Sequence, residues 1–178
     1  DAPHLLERLA AEQPGQRIQT SVRQALQRQT QALVNRYARE YSSNHIHNLA
    51  AIVADVETGE VLAYAGNATY PADERRGNQV DIITSPRSTG SILKPFLYAG
   101  MLHDGLLLPS MLVSDVPLNI NGFSPHNYNK TFYGAVPAHV AIERSLNVPL
   151  VRMLSQYNTG RFMSLLKSWG MTTLRFSE

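Results

Sequence analysis

The 178 residues include 43% hydrophobic and 17% charged side chains, the composition of a globular chain able to bury a core as one domain, or one domain with an appendage. Sixteen basic residues against fourteen acidic ones leave a formal charge of +2, and no basic cluster is interleaved with aromatics, which argues against nucleic-acid binding. Cysteine is absent, which removes disulfide and cysteine-metal frameworks and suits an oxidising compartment without establishing one, and no run approaches the roughly 18 apolar residues of a membrane span.

The polar start Asp1-Ala2-Pro3-His4 is no signal peptide, so residue 1 reads as an internal cut, with any anchor upstream. Leu5, Leu6 and Leu9 predict a short helix or linker remnant over residues 4 to 12, ended by Pro14-Gly15. A longer amphipathic helix is expected from a Thr20-Ser21 cap, with Val22, Leu26, Leu33, Tyr37 and Tyr41 on one stripe and arginines and glutamines opposite. Packing against its own domain is a better reading of so basic a helix than binding a membrane surface. His45-Ile46-His47 puts two imidazoles on one side of an expected strand; with no third ligand in sight they read as a surface pair rather than a metal site.

Residues 50 to 56 and 61 to 65 are strand-like and are joined by Glu57-Thr58-Gly59-Glu60, which predicts a β-hairpin opening the central sheet. Residues 67 to 86, with Pro71, Gly77 and Pro86, read as a surface loop. A buried helix is expected from Ser91 to about His103, apolar along Ile92, Leu93, Phe96, Leu97, Ala99 and Met101, with Pro95 tolerated in its first turn and Gly105 closing it. His103-Asp104 reads as helix-end capping rather than part of a catalytic triad, since no Gly-x-Ser-x-Gly elbow exists. Residues 106 to 137 should form irregular connections and short strands framing a cleft, with Asn127, Tyr128 and Tyr133 at its edge. A helical stretch from Ala138 to about Gln156 would carry Ser145 and Asn147 near its middle, and residues 161 to 169 would form another helix ending at Gly170.

The chemistry concentrates at Gly90-Ser91-Ile92-Leu93-Lys94. Three residues apart on a helix, Ser91 and Lys94 would point into one pocket. A serine hydroxyl is a weak nucleophile until a base takes its proton, and a lysine serves as that base only when burial or a neighbouring cation lowers its pKa from about 10.4. Gly90 suits a tight entry, and the helix start favours developing negative charge. Ser164 and Lys167 repeat the spacing inside a helix-like run without the glycine and read as structure only.

Ser145-Leu146-Asn147 follows the Ser-x-x-Lys in the chain, an ordered pair that penicillin-binding proteins and class A β-lactamases complete with Lys-Thr-Gly. Gly90-Ser91-x-x-Lys94-Pro95-Phe96 followed by Ser145-Leu146-Asn147-Val148-Pro149 resembles the transpeptidase domain of class A penicillin-binding proteins, and most of all their 1C type, a bifunctional peptidoglycan synthase. Residues 50 to 63 are similar to the first hairpin of such domains, and Pro125-His126-Asn127-Tyr128 with Tyr133-Gly134 to the loop before their second motif. The resemblance runs from about residue 18 to the end.

The resemblance implies an α+β transpeptidase fold of the penicillin-binding and β-lactamase kind. This chain would hold only the first hairpin and the mainly helical part, the downstream strands being missing. Residues 1 to 44 would be linker and N-terminal helices, and 45 to 178 the N-terminal portion of the domain. No Lys-Thr-Gly or Lys-Ser-Gly occurs: Lys130-Thr131-Phe132 and Lys167-Ser168-Trp169 lack the glycine. In the family Ser91 is the nucleophile and Lys94 its base. Ser145 relays a proton to the leaving amine, Asn147 holds substrate and Lys94, and Gly90, Asn127 and Tyr128 are expected to touch substrate. The expected partners are peptidoglycan stem peptides and β-lactams, with no metal or cofactor. A periplasmic segment, tethered to the inner membrane by an upstream part and preceded by a glycosyltransferase domain, is likewise implied. Two rivals stay open, a D,D-carboxypeptidase or β-lactamase-type hydrolase and a non-catalytic module binding peptidoglycan or a partner. A deacylating base would mark the first, and no glutamate placed for it is identifiable.

Overall fold

A computed structural model describes residues 1–69 and 74–174; Pro71 of the expected loop lies outside the described residues. The chain divides into two compact units, Asp1–Arg87 and Ser88–Glu178.

In the first unit, helix α1 (Pro3–Glu12) opens with a proline in its first turn, where the missing amide hydrogen leaves no helical bond unmade. Helix α2 spans Gln24–Glu40 and so begins later than a Thr20-Ser21 cap implies. Ser21 and Arg23 bond to a strand instead. In the antiparallel hairpin of β1 (Ala51–Ala54) and β2 (Val61–Ala65), the outer edge of β2 receives Ser21 Oγ at the Val61 carbonyl, 2.8 Å, and the Arg23 N–H at the Leu62 carbonyl, 2.9 Å. Further along that edge the buried Gln27 amide closes on Tyr64, donating to its carbonyl at 3.0 Å and accepting its N–H at 2.7 Å. One side chain thus does for β2 what a neighbouring peptide would.

The inward face of α2 is Gln27, Thr30, Val34 and Ala38. The expected stripe is therefore displaced: Leu33, Tyr37 and Tyr41 are 48%, 37% and 37% exposed. Val34 and Ala38 pack on Ala65 and Ala68, and so close an approach of helix to small side chains admits only small partners. Tyr37 and Tyr41 stack on each other outside, ring centroids 5.7 Å apart.

His45 takes a left-handed φ of 61° at the end of a 3₁₀ turn, Tyr41–Asn44, and the strand does not start until Ala51; the two imidazoles therefore do not share a strand face. The hairpin turn is held by Asp55, whose Oδ1 accepts from the Thr58 N–H, the Thr58 hydroxyl and the Glu57 N–H. The Thr58 bonds lower its pKa below the ordinary carboxylate value. Tyr64 donates to Asp81 Oδ2 at 2.6 Å, and burial followed by that bond pushes the phenol up to about 12.

The second unit is built on a 3₁₀ turn, Gly90–Leu93, that runs straight into helix α3 (Lys94–His103). Strands β3 (Leu112–Asp115) and β4 (Gly134–Pro137) pair antiparallel. Helices α4 (Ala138–Glu143), α5 (Asn147–Tyr157) and α6 (Thr159–Ser168) follow. Leu97 and Met101 of α3 bury against Ala141, Leu150, Met153 and Leu166 in one apolar core.

The continuous helix expected from Ala138 is broken in two. Ser145 has a φ of 52°; its N–H returns to the Ile142 carbonyl and that of Leu146 to the Ala141 carbonyl, the closure of a helix by a left-handed residue. Leu146 is then extended before α5 restarts. Gly105, at φ 68°, closes α3 in the expected way. Asp104 does more than cap, accepting from Tyr157 Oη at 2.6 Å and Arg161 Nη2 at 2.7 Å, which ties the end of α3 to α5 and α6.

Candidate active site

The break between α4 and α5 turns a helix into a cradle. It presents the Ser145 carbonyl, the Ser145 hydroxyl and the Asn147 side chain toward the start of α3, and Lys94 fills it. Lys94 Nζ donates to Ser145 O at 2.7 Å, to Ser145 Oγ at 3.1 Å and to Asn147 Oδ1 at 2.6 Å. An ammonium has three hydrogens, and all are used. Two effects oppose each other here: the three acceptors favour the charged form, while burial disfavours it and leaves the Lys94 pKa below its ordinary value.

Lys94 and Asn147 line a cavity of about 570 Å³ together with Gly90, Leu97, Ser124 and His126. Its apolar lining includes Leu97 of α3, Leu150 and Leu154 of α5 and Phe162 of α6. Ser91 does not line this cavity, contrary to the expectation that it and Lys94 share one pocket; it is exposed, and its hydroxyl bonds to none of the described residues. The structure therefore brings together Lys94, Ser145 and Asn147, and leaves Ser91 one turn away without a hydrogen bond to the amine. The backbone still stacks them, since in a 3₁₀ turn residues i and i+3 eclipse and the Lys94 N–H donates to the Ser91 carbonyl. Gly90 provides the entry at a φ of 53°.

The other two candidates part company. Tyr128 is fully exposed and does not line the cavity. Asn127 is buried at 3% exposure rather than standing at a cleft edge, and its amide is spent inside the protein. Its Nδ2 donates to both oxygens of Asp115, at 2.9 and 3.0 Å, and to the Thr131 carbonyl at 2.9 Å, while its Oδ1 accepts from the Asn147 and Val148 N–H groups. Sequence reasoning missed Asp115 altogether, for an isolated aspartate in Val-Ser-Asp-Val carries no pattern. His126, named in the sequence only as part of the Pro125-His126-Asn127-Tyr128 run, takes part through its carbonyl, which accepts from Asn147 Nδ2 at 2.8 Å.

Comparison with known proteins bears on this arrangement. Residues 49–176 match the model of the penicillin binding protein transpeptidase domain. Penicillin-binding protein 1C of Escherichia coli K12 is 32% identical over 170 residues, covering 96% of this chain and 22% of that protein. Penicillin-binding protein 1B of Vibrio cholerae is 30% identical over 110 residues, 58% of this chain and 14% of that one. Among solved structures, a peptidoglycan glycosyltransferase from Burkholderia ambifaria superposes with a TM-score of 0.68 at 24% identity, over 85% of this chain and 45% of its own. PonA1 of Mycobacterium tuberculosis, in complex with penicillin V, superposes with a TM-score of 0.63 at 19% identity, over 97% and 45%. The α+β fold is thus that of penicillin-binding transpeptidases. The chain belongs to the penicillin-binding protein transpeptidase family, in its class A branch, and spans 22% of the length of its Escherichia coli 1C relative.

Proposed function

We propose that this chain carries the acylation half of a peptidoglycan D,D-transpeptidase. Ser91 Oγ attacks the carbonyl of the penultimate D-alanine of a stem peptide, its proton passing to the Lys94 amine. The carbon–nitrogen bond to the terminal D-alanine breaks, and a proton delivered from Lys94 through Ser145 completes the leaving amine. An amine of a neighbouring stem peptide then takes the acyl group from Ser91, forming the cross-link and restoring the hydroxyl. β-Lactams would acylate the same oxygen. The observation that carries this reading is the grip of Ser145 and Asn147 on a burial-shifted lysine that lines a cavity one turn beyond Ser91.

The saturated ammonium is the resting form. To accept the Ser91 proton, Lys94 gives up a proton and frees a lone pair, which breaks one of its three bonds. The Ser91 N–H, at the head of the turn, supplies one donor to the oxyanion, and a second donor and a further positive charge come from a Lys-Thr-Gly or Lys-Ser-Gly strand outside these residues. In this reading residues 1 to 44 are linker and N-terminal helices, and 45 to 178 are the first part of the domain. The parent protein joins a glycosyltransferase to it and sits on the outer face of the inner membrane. Among the described residues no helix is long and apolar enough to cross a membrane.

The test is covalent labelling of the full-length protein by a fluorescent penicillin. Wild type should label and Ser91→Ala should not. Undiminished labelling of Ser91→Ala would remove that residue from the nucleophile's role. Transfer to an added amine acceptor, measured on the same acyl-enzyme, separates a transpeptidase from a hydrolase.

A further inference from the structure

We propose that Asp115 and Asn127 are positioning residues, which set the Ser145–Asn147 segment and through it the Lys94 amine in register for acyl transfer. This rests on the reading of the site given above.

Helix α5 starts without a cap of its own: Leu146 stands at the N-cap and offers no side-chain acceptor. The acceptor arrives instead from twenty residues upstream, where Asn127 Oδ1 takes the N–H of Asn147 at 2.9 Å and of Val148 at 3.2 Å. What orients that amide is Asp115, which is wholly buried. A carboxylate offers only acceptors, so Asn127 must turn Nδ2 toward it and leave Oδ1 for the helix. A flipped amide would set oxygen against oxygen at one end and hydrogen against hydrogen at the other. Asp115 is in turn held by the Tyr133 N–H at 3.0 Å, beside the β3–β4 pair whose last rung is Asp115 with Gly134.

The chain of bonds therefore runs from a strand pair, through Asp115 and Asn127, to the first amide of α5, whose side chain grips Lys94. Residues 126 and 127 hold Asn147 twice, by its backbone N–H and by its Nδ2. A serine or aspartate in place of Leu146 would cap α5 locally. Capping by a buried loop residue that is tied to Asp115 of β3 instead fixes where Asn147 stands relative to the cavity, which matters because misplacing a reacting group by an ångström costs about 100-fold in rate.

The experiment uses the full-length protein and the charge-neutral exchange of the pair. Asn127→Asp sets two buried carboxylates together, Asp115→Asn sets two amide donors together, and the double variant restores one donor facing one acceptor, with an oxygen still aimed at α5 and only the bond to the Thr131 carbonyl given up. Each single variant should slow fluorescent-penicillin acylation, counted per folded molecule, by about 10- to 100-fold. The double variant should recover to within about threefold of wild type. A second readout needs no acylation. The pH at which Lys94 reacts with acetic anhydride, followed by peptide mass spectrometry, should fall in Asn127→Ala, because an amine deprived of well-placed acceptors holds its proton less firmly. Helix capping alone would lower thermal stability and leave both readouts unchanged; that result, or a double variant as slow as the singles, overturns the proposal. If wild type does not label with penicillin while the Lys94 midpoint still moves in Asn127→Ala, the transpeptidase reading falls and the positioning of Lys94 stands.

Discussion

At Lys94 a charge is held where burial opposes it, and the balance is set by oxygens from two residues. A lysine whose folded pKa lies below the ordinary 10.5 keeps more free amine at any given pH, so penicillin acylation should rise with pH through a midpoint below that value and level off above the midpoint. Asn147→Asp places a carboxylate at the 2.6 Å contact and favours the ammonium, so its midpoint should move up. Below the midpoint the rate follows free amine, and the variant should acylate about tenfold more slowly for each unit of that rise, measured as initial rates across pH. An unmoved midpoint would mean that another group titrates in the rate. The ordered pair of motifs makes Lys94, Ser145 and Asn147 legible in the sequence, and the structure joins those three. Asp115 and the inward turn of Asn127 are not legible there, because their meaning lies in which atom faces which across a loop.

Helix α2 and strand β2 show the same division among elements. Both were readable from composition and periodicity, but the face that α2 buries was not. The sequence offers Leu33, Tyr37 and Tyr41 as the obvious apolar stripe, whereas an alanine-lined partner surface selects Thr30, Val34 and Ala38, with Gln27 supplying the bonds that the edge of β2 lacks. Gln27→Leu should therefore be more damaging than a change of one buried polar residue to an apolar one usually is. It strands the Tyr64 N–H and carbonyl, at a cost of about 1–3 kcal/mol for each group left unpaired. Urea unfolding should show the loss, while Gln29→Lys, on the exposed side, should change stability by about 0.5 kcal/mol or less. The helix break at Ser145 escaped periodicity for a related reason: a serine is rarely left-handed, and nothing local announces that two returning amides will hold it so.

Across the whole chain, the α+β class was legible because Gly90-Ser91-x-x-Lys94 followed by Ser145-Leu146-Asn147 resembles the ordered motifs of penicillin-binding transpeptidases, and that resemblance implies their fold. The division at Arg87 and Ser88 was not, since the Pro86 and Gly90 that flank it read equally well as the end of a loop and the entry to a helix. As the chain spans 22% of its Escherichia coli relative and contains no Lys-Thr-Gly or Lys-Ser-Gly, the 178 residues alone should label with fluorescent penicillin far more weakly than the full-length protein. Equal labelling of the two would show that the second oxyanion donor lies within these residues.

Every partner of the Lys94 amine is encoded after it, with Asn147 53 residues further on. At roughly 5–20 residues per second, a ribosome delivers the amine about 3–10 s before the acceptor that completes its cradle. For that interval α3 is an apolar segment bearing a lone cation and lacking α5 and α6 to cover it. The nascent chain is then most exposed to misassociation, and a holding chaperone would have most to protect.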